Sequence, residues 1–324
     1  MPAIAAGSEG DGPLLLFRPP EYRPETIAEG PGGFISLCQL QWAGRLFLAA
    51  STGFKPVFQA EECRLAAYPL DRGEMPGPLD ICPLPYTHRI ASFHFGGKAH
   101  LLASTLCAGK ASQDDWSKPG GVHLADVPAS PAQGEAAWRF QLICKGLSKN
   151  HGMDEAVLHR GRRGFLLSAH EGLFFLGAPG GKAGSWTRET ISPGEHSDAF
   201  SFPWDDPADP QVFSLSPFHG NVLSRHRRTA DGWSRETLDD TIDFGHVLWA
   251  GMVLGRQGLL VGGRRGRKQL AIYRRGDGNR FEKELIDEGV GPTQVTVIER
   301  GRGEALIFVA AHARGEVVEY TLGE

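Results

Sequence analysis

Short apolar runs that end in small side chains recur along the chain, each bounded by turn residues. They are Leu46-Phe-Leu-Ala-Ala-Ser-Thr-Gly53, Leu101-Leu-Ala-Ser-Thr-Leu106, Phe165-Leu-Leu-Ser-Ala-His-Glu-Gly172, Val212-Phe-Ser-Leu-Ser216, Leu259-Leu-Val-Gly-Gly-Arg264 and Leu306-Ile-Phe-Val-Ala-Ala-His312. A near-continuous apolar run of this kind predicts a strand buried on both faces. A second, alternating phrase is interleaved with them: an aromatic, polar residues, Glu-Thr or a variant, an aliphatic and a turn. It reads Tyr22-Arg-Pro-Glu-Thr-Ile-Ala-Glu-Gly30, Trp186-Thr-Arg-Glu-Thr-Ile-Ser-Pro-Gly194, Trp233-Ser-Arg-Glu-Thr-Leu-Asp-Asp240 and Phe281-Glu-Lys-Glu-Leu-Ile-Asp-Glu-Gly289, with Trp138 to Gly146 a looser copy. Its alternation predicts a half-exposed outer strand, with Trp138, Trp186 and Trp233 as packing residues.

The two phrases repeat with a period of roughly fifty residues, the signature of a blade array. Each unit reads as four antiparallel strands, A to D. Strand A starts near Phe34, His88, His151, Asp198, His246 and Gln294; B is the small-residue phrase and D the Glu-Thr phrase. The pattern predicts an all-β, six-bladed β-propeller over residues 13–324, with residues 1–12 as a flexible lead-in. The last unit runs out of chain before strand D, so the N-terminal strand is expected to fill that place and close the ring. Leu14-Leu-Leu-Phe17 is then one strand too many, which leaves seven blades open.

Composition narrows the function. A net charge of −4 supplies no basic stripe, which argues against a nucleic-acid partner. The five cysteines, Cys38, Cys63, Cys82, Cys107 and Cys144, form no CxxC pair and read as reduced, buried thiols. No secretory signal and no membrane-spanning run is visible, so the expectation is a cytoplasmic chain without a membrane partner. None of these features identifies an oligomeric state.

The repeat turns histidine spacing into geometry. Strand B returns to the face from which A departs, so B–C loops and D–A junctions share one face. Of the twelve histidines, His88, His151, His196 and His246 fall at D–A junctions, and His170, His219 and His312 at B–C junctions. Converged imidazoles suit a divalent-metal site or acid–base chemistry. Gly152, Gly220 and Gly245 beside His151, His219 and His246 permit close backbone approach. Glu171 and Asp198 join the same face, as do Lys110, Asp115 and Trp116 in a long loop, with Trp249, Arg265, Gln294 and His312 as further substrate contacts. The runs Arg160 to Arg163 and Arg225 to Arg228 read as solvated turns.

Three stretches carry a family resemblance: Leu147-Ser-Lys-Asn-His-Gly-Met153 with Ala169-His-Glu-Gly172, Pro217-Phe-His-Gly-Asn221, and Leu238-Asp-Asp-Thr-Ile242 with Gly245-His-Val-Leu-Trp249. They resemble FG-GAP/VCBS-type propellers of the aldos-2-ulose dehydratase-like kind. The resemblance implies a carbohydrate lyase, with His151, His219 and His246 as ligands of a divalent metal (zinc, manganese or iron). In this reading His88 or His170 is the base, Glu171 or Asp198 orients an imidazole or protonates the leaving hydroxyl, and Arg265 and Lys110 fix the substrate. That family's blades often carry acidic calcium turns. Here the matching turns, His159-Arg-Gly-Arg-Arg163 and Leu254-Gly-Arg-Gln257, are basic, so no structural calcium is expected. The expectation is a metal-assisted carbon–oxygen lyase or dehydratase acting on a keto-sugar or similar polar metabolite. The alternative is a non-catalytic propeller binding a glycan or protein through the same face.

Overall fold

The structure is a computed structural model that describes the chain except for residues 71–76, 181–183, 205, 277–279, 302 and 324. Among the described residues 26 strands form seven antiparallel sheets, and the fold is an all-β, seven-bladed propeller. Blade one is β1 (Ile4–Gly7), β2 (Leu14–Arg18) and β3 (Arg23–Ala28). Blade two is β4 (Ser36–Trp42), β5 (Arg45–Thr52), β6 (Arg64–Pro69) and β7 (Leu79–Pro83). Blade three is β8 (Thr87–Phe95), β9 (Lys98–Thr105), β10 (Gly120–Asp126) and β11 (Gln141–Leu147). Blade four is β12 (Gly152–Leu158), β13 (Arg162–Ser168), β14 (Gly172–Gly177) and β15 (Thr187–Pro193). Blade five is β16 (Asp198–Phe202), β17 (Gln211–Ser216), β18 (Val222–Thr229) and β19 (Gly232–Asp239). Blade six is β20 (Gly245–Val253), β21 (Arg256–Gly263), β22 (Leu270–Arg275) and β23 (Phe281–Asp287). Blade seven is β24 (Pro292–Gly301), β25 (Glu304–Ala311) and β26 (Glu316–Gly323).

The count of seven, rather than six, comes from the N-terminus. Ile4-Ala-Ala-Gly7 is a short copy of the small-residue phrase, and it pairs with β2 from Ile4–Phe17 to Gly7–Leu14. Ser8, just after β1, accepts a hydrogen bond from the Phe34 amide (2.8 Å), as Ala169, just after β13, accepts one from His196 (3.0 Å). The segment expected to be a flexible lead-in therefore contains a blade strand. Tyr22 to Gly30 does supply an outer strand, β3, but it pairs with β2 in its own blade and not with blade seven.

The second strand of most blades is buried along its apolar core, as the runs predict; all six residues of β17 are buried. Their small ends, Ala49-Ala50-Ser51 or Ser214-Leu215-Ser216, let neighbouring chain pack closely. By compactness the chain falls into two units, Pro2–Met153 with Leu176–Arg188, and Asp154–Phe175 with Glu189–Glu324. In the first unit Trp42 and Trp138 meet edge to face (5.0 Å, 74°) within a cluster that includes Phe47, Leu65 and Leu101. Their indole N–H groups donate to Pro128 O (2.8 Å) and Ala132 O (3.1 Å), which satisfies the buried donors. Trp138→Ala is expected to cost about 3–5 kcal/mol in urea unfolding, and Trp138→Phe distinctly less. An unchanged midpoint for Trp138→Ala would contradict that role.

In the second unit Trp204, Phe213, Leu215, Leu259 and Tyr273 pack in one cluster and Leu260, Ile272, Ile307 and Val309 in another. The Arg225–Arg228 run is no turn here. It lies in β18, where Arg225 is fully buried and bound to Glu236 (2.6 Å), and His226 is buried beside it. An ion pair and a hydroxyl partner make that burial tolerable, and neither partner is adjacent in sequence.

Candidate metal centre

Three blades begin alike. A residue in the left-handed region, Tyr86 (φ 61°), Lys149 (φ 50°) or Phe244 (φ 58°), stands two positions before His88, His151 or His246. In β8 the pairing jumps from Thr87–Thr105 to Arg89–Ser104, and in β20 from Gly245–Gly263 to Val247–Gly262. His88 and His246 are thus the extra residues of β-bulges, which re-aim a side chain out of the regular alternation. β24 has the same device at Thr293, following Gly291 (φ 54°). The counterpart of the histidines in blade seven is therefore Thr293. Gln294, the residue selected by counting along the sequence, is exposed and paired with Ala310. β16 pairs in unbroken register from Asp198–Leu215, so Asp198, though buried, does not share the bulge position.

His219 reaches its place by a tight turn between β17 and β18. Its own φ is 49°, and Gly220 donates to Pro217 O (2.8 Å). A Cβ at Gly220 would lie 2.3 Å from Pro217 N and 2.4 Å from Ser216 O, so only glycine fits. Gly245 then donates to Gly220 O (2.8 Å), which ties the residue after His219 to the residue before His246. The two imidazoles stack (5.2 Å, 16°), and Phe244 lies on His219 (4.4 Å, 26°). The Arg265 guanidinium caps Phe244 at 4.4 Å. Gly220→Ala is expected to weaken metal affinity by about tenfold or more through displacement of His219, measured by competition with a chromogenic chelator.

His151, fully buried, is held by His88. The His88 Nδ1–H donates to the His151 carbonyl (2.9 Å), and the rings lie 4.2 Å apart. A carbonyl only accepts, so Nδ1 carries a proton. Phe54 closes on His88 edge to face (5.7 Å, 69°). His88 therefore fixes the His151 backbone and packs against its ring.

One ring nitrogen from each of His151, His219 and His246 lies within 4.8 Å of the other two. A tetrahedral ion with bonds of about 2.0–2.1 Å needs donors about 3.3 Å apart, which lies inside that limit. Three imidazoles suit zinc, manganese or iron, while calcium prefers oxygen donors.

The other expected site residues have the following surroundings. His170 is exposed and pairs with Glu195 (3.1 Å). Glu171 is exposed in the same turn, and His312 in the turn after β25. Trp249 is half-buried against the core of blade six, 6.4 Å from Phe200 and over Gly251, so much of its ring is engaged in packing. The Asp115 carboxylate accepts from Ala111 N and Ser117 N (both 2.9 Å) and closes its own loop. The Ser117 hydroxyl and those two amides pull its pKa down to about 2. Lys110 and Trp116 do come together, the ammonium 3.3 Å from the ring centroid. The sequence pattern gives no sign of a buried polar group in the second unit: His226 against Ser214 Oγ (2.8 Å), with His196 5.8 Å away.

No protein-family profile matches the chain, and no curated protein matches it in sequence. Solved structures do match its fold. The periplasmic gluconolactonase of Pseudomonas aeruginosa aligns with 99% of the chain and 95% of its own length, at 13% identity and a TM-score of 0.58. A candidate 6-phosphogluconolactonase of Bacteroides fragilis aligns over 99% and 94%, at 12% identity and a TM-score of 0.57. Another from Bacteroides uniformis aligns over 99% and 96%, at 11% identity and a TM-score of 0.57. The shared property is the fold. The resemblance carried by the histidine phrases is thus supported as far as the β-propeller, and these three neighbours bear lactonase names rather than dehydratase names.

Proposed function

We propose that this chain is an enzyme that opens the ring ester of a sugar lactone, with a divalent ion held by His151, His219 and His246. The reading rests on one observation: three imidazole nitrogens from different blades lie within 4.8 Å of one another. The gluconolactonase names of structural neighbours support the substrate class. Three neutral ligands leave the full charge of the ion available, and when bound it supplies Lewis acidity toward the lactone carbonyl and an acidified water. The chain's own residues set the stage. His88 holds the His151 backbone by its Nδ1–H, and the Gly245–Gly220 bond keeps His219 in step with His246. Arg265, over Phe244, offers a cation to the carboxylate that ring opening produces.

Carbon–oxygen elimination from a keto-sugar is the second reading. It is favoured by the Pro217-Phe-His-Gly-Asn221 and Gly245-His-Val-Leu-Trp249 phrases, whose histidines are two of the three ligands. The test is acid release from D-glucono-1,5-lactone in a pH-stat, run beside ultraviolet detection of an unsaturated product from keto-sugars. The expected result is acid release faster than the spontaneous rate, abolished by a chelator and restored by zinc, manganese or iron. Fully metal-loaded protein that accelerates only elimination selects the second reading, and protein that accelerates neither ends both.

A further inference from the structure

A second feature lies between two loops of the first unit. The loop from Phe54 to Cys63 joins β5 to β6, and the loop from Leu106 to Pro119 joins β9 to β10. They enclose a cleft of about 260 Å³ lined by Phe58, Gln59, Glu61, Lys110 and Gln113, among others. Drug-sized ligands occupy about 300–1,000 Å³, so this volume matches a single small ring rather than a chain of them.

The first loop is held in a strained form. Val57 and Phe58 stand in succession at φ 62° and 59°, where a β-branched and an aromatic residue are both unfavourable. The turn is closed by Lys55 N to Gln59 O (2.8 Å) and a Lys55–Glu62 ion pair (3.2 Å). That backbone sets Phe58 edge-on to Trp116 (5.7 Å, 72°), with the Lys110 ammonium near both rings (5.7 and 3.3 Å). Strain retained at a cleft wall is a recurrent mark of binding sites.

The polar groups are matched but not saturated. Glu61 Oε1 accepts from the buried Tyr86 hydroxyl (2.8 Å), which anchors the carboxylate at the cleft. Lys110 donates to Gln113 O (2.8 Å), and among the described residues its two other N–H donors have no hydrogen-bond partner. Burial between the rings lowers the Lys110 pKa, while its own amide and Tyr86 keep the Glu61 carboxyl below the usual range. A carboxylate, an ammonium, two amides and an aromatic ring around one ring-sized space are the groups that recognise a polyol. The carboxylate accepts from paired hydroxyls, the ammonium donates to hydroxyl oxygens, and the aromatic covers a face of C–H bonds. The two charges offset one another, which favours a neutral ligand over an anion.

We propose that this cleft, whose lining includes none of the three histidines, is a binding site for one neutral hexose ring. The proposal does not depend on the lactonase reading. Its test uses the full chain labelled with nitrogen-15, with the Trp116 indole signal assigned by Trp116→Phe. D-glucose, D-galactose and D-mannose are titrated to roughly 50 mM, the range for millimolar affinity, with D-gluconate as the anionic comparison. A saturable shift of the Trp116 signal by at least one hexose is expected, with about tenfold or greater weakening in Phe58→Ala and in Glu61→Gln. Glu61 is exposed and Phe58 half-buried on the loop, and an unchanged melting temperature confirms that the variants are folded. The proposal is overturned by no saturable shift with any hexose, by a response to gluconate alone, or by hexose binding that both variants retain in full.

Discussion

His246→Ala is expected to reduce lactone turnover by about a thousandfold or more, equivalent to about 4 kcal/mol of transition-state stabilisation. Its melting temperature should stay within about 2 °C of the unaltered chain. The asymmetry follows from where His246 sits. It is the extra residue of a bulge at the very start of β20, and the regular ladder from Val247 onward does not depend on its side chain. His88→Ala should behave differently. His88 bears on the cluster by donating to the His151 carbonyl, so about ten- to hundredfold is expected, through weaker metal affinity. His88→Asn, which keeps a donor near that carbonyl, should recover part of the loss. A His246→Ala protein that turns over lactone at the full rate would remove the metal from the account.

The second large effect is on stability in acid. His196 and His226 are fully buried in the second unit. Burial pushes the His226 pKa down to about 3, helped by His196 and then by Arg235. Burial also pushes His196 down to about 4, helped by Arg235, which is itself bound to Ser216 (2.7 Å) and Ser224 (3.0 Å). An unfolded histidine titrates near 6.5. Below that pH the unfolded chain takes up protons that the native state refuses, so stability falls as pH falls. Above about 6.5 the two groups are neutral in both states and the effect vanishes. Within the window each histidine removes about 1.4 kcal/mol per pH unit, or about 2.7 for the pair. Carboxylates with lowered pKa values, such as Asp239 and Asp287, act at lower pH. Urea midpoints of metal-free protein between pH 7 and pH 5 should therefore drop steeply, and His226→Gln should roughly halve the slope. A slope that His226→Gln and His196→Asn both leave intact would assign the acid sensitivity elsewhere.

Much of the architecture is legible in the phrases themselves. The Glu-Thr copies at Arg188 to Thr190 and Arg235 to Thr237 do lie on outer strands, β15 and β19. The runs at Leu46, Leu259 and Leu306 do form buried second strands. Ile4 to Gly7 escapes notice because four residues among glycines give too little pattern to register a strand. At the site, topology alone brings His151, His219 and His246 into one group, because repeat position is a property of the sequence. The bulges at His88, His246 and Thr293 are not readable, since they depend on backbone pairing one residue out of step. The burial of Arg225 and His226 is hidden for a related reason: their partners Glu236 and Ser214 come from neighbouring strands. The packing of the half-buried Trp249 against Phe200 of the next blade is likewise invisible in its motif.

The account rests on three imidazoles acting as one ligand set, and the direct measurement is metal bound per chain. Purified protein is stripped, reloaded with zinc, manganese or iron, desalted and analysed by mass spectrometry of the elements, beside His151→Ala, His219→Ala and His246→Ala. The account predicts about one equivalent in the unaltered chain and almost none in each variant. A chain that takes up no ion, or variants that load as fully as the original, would contradict it.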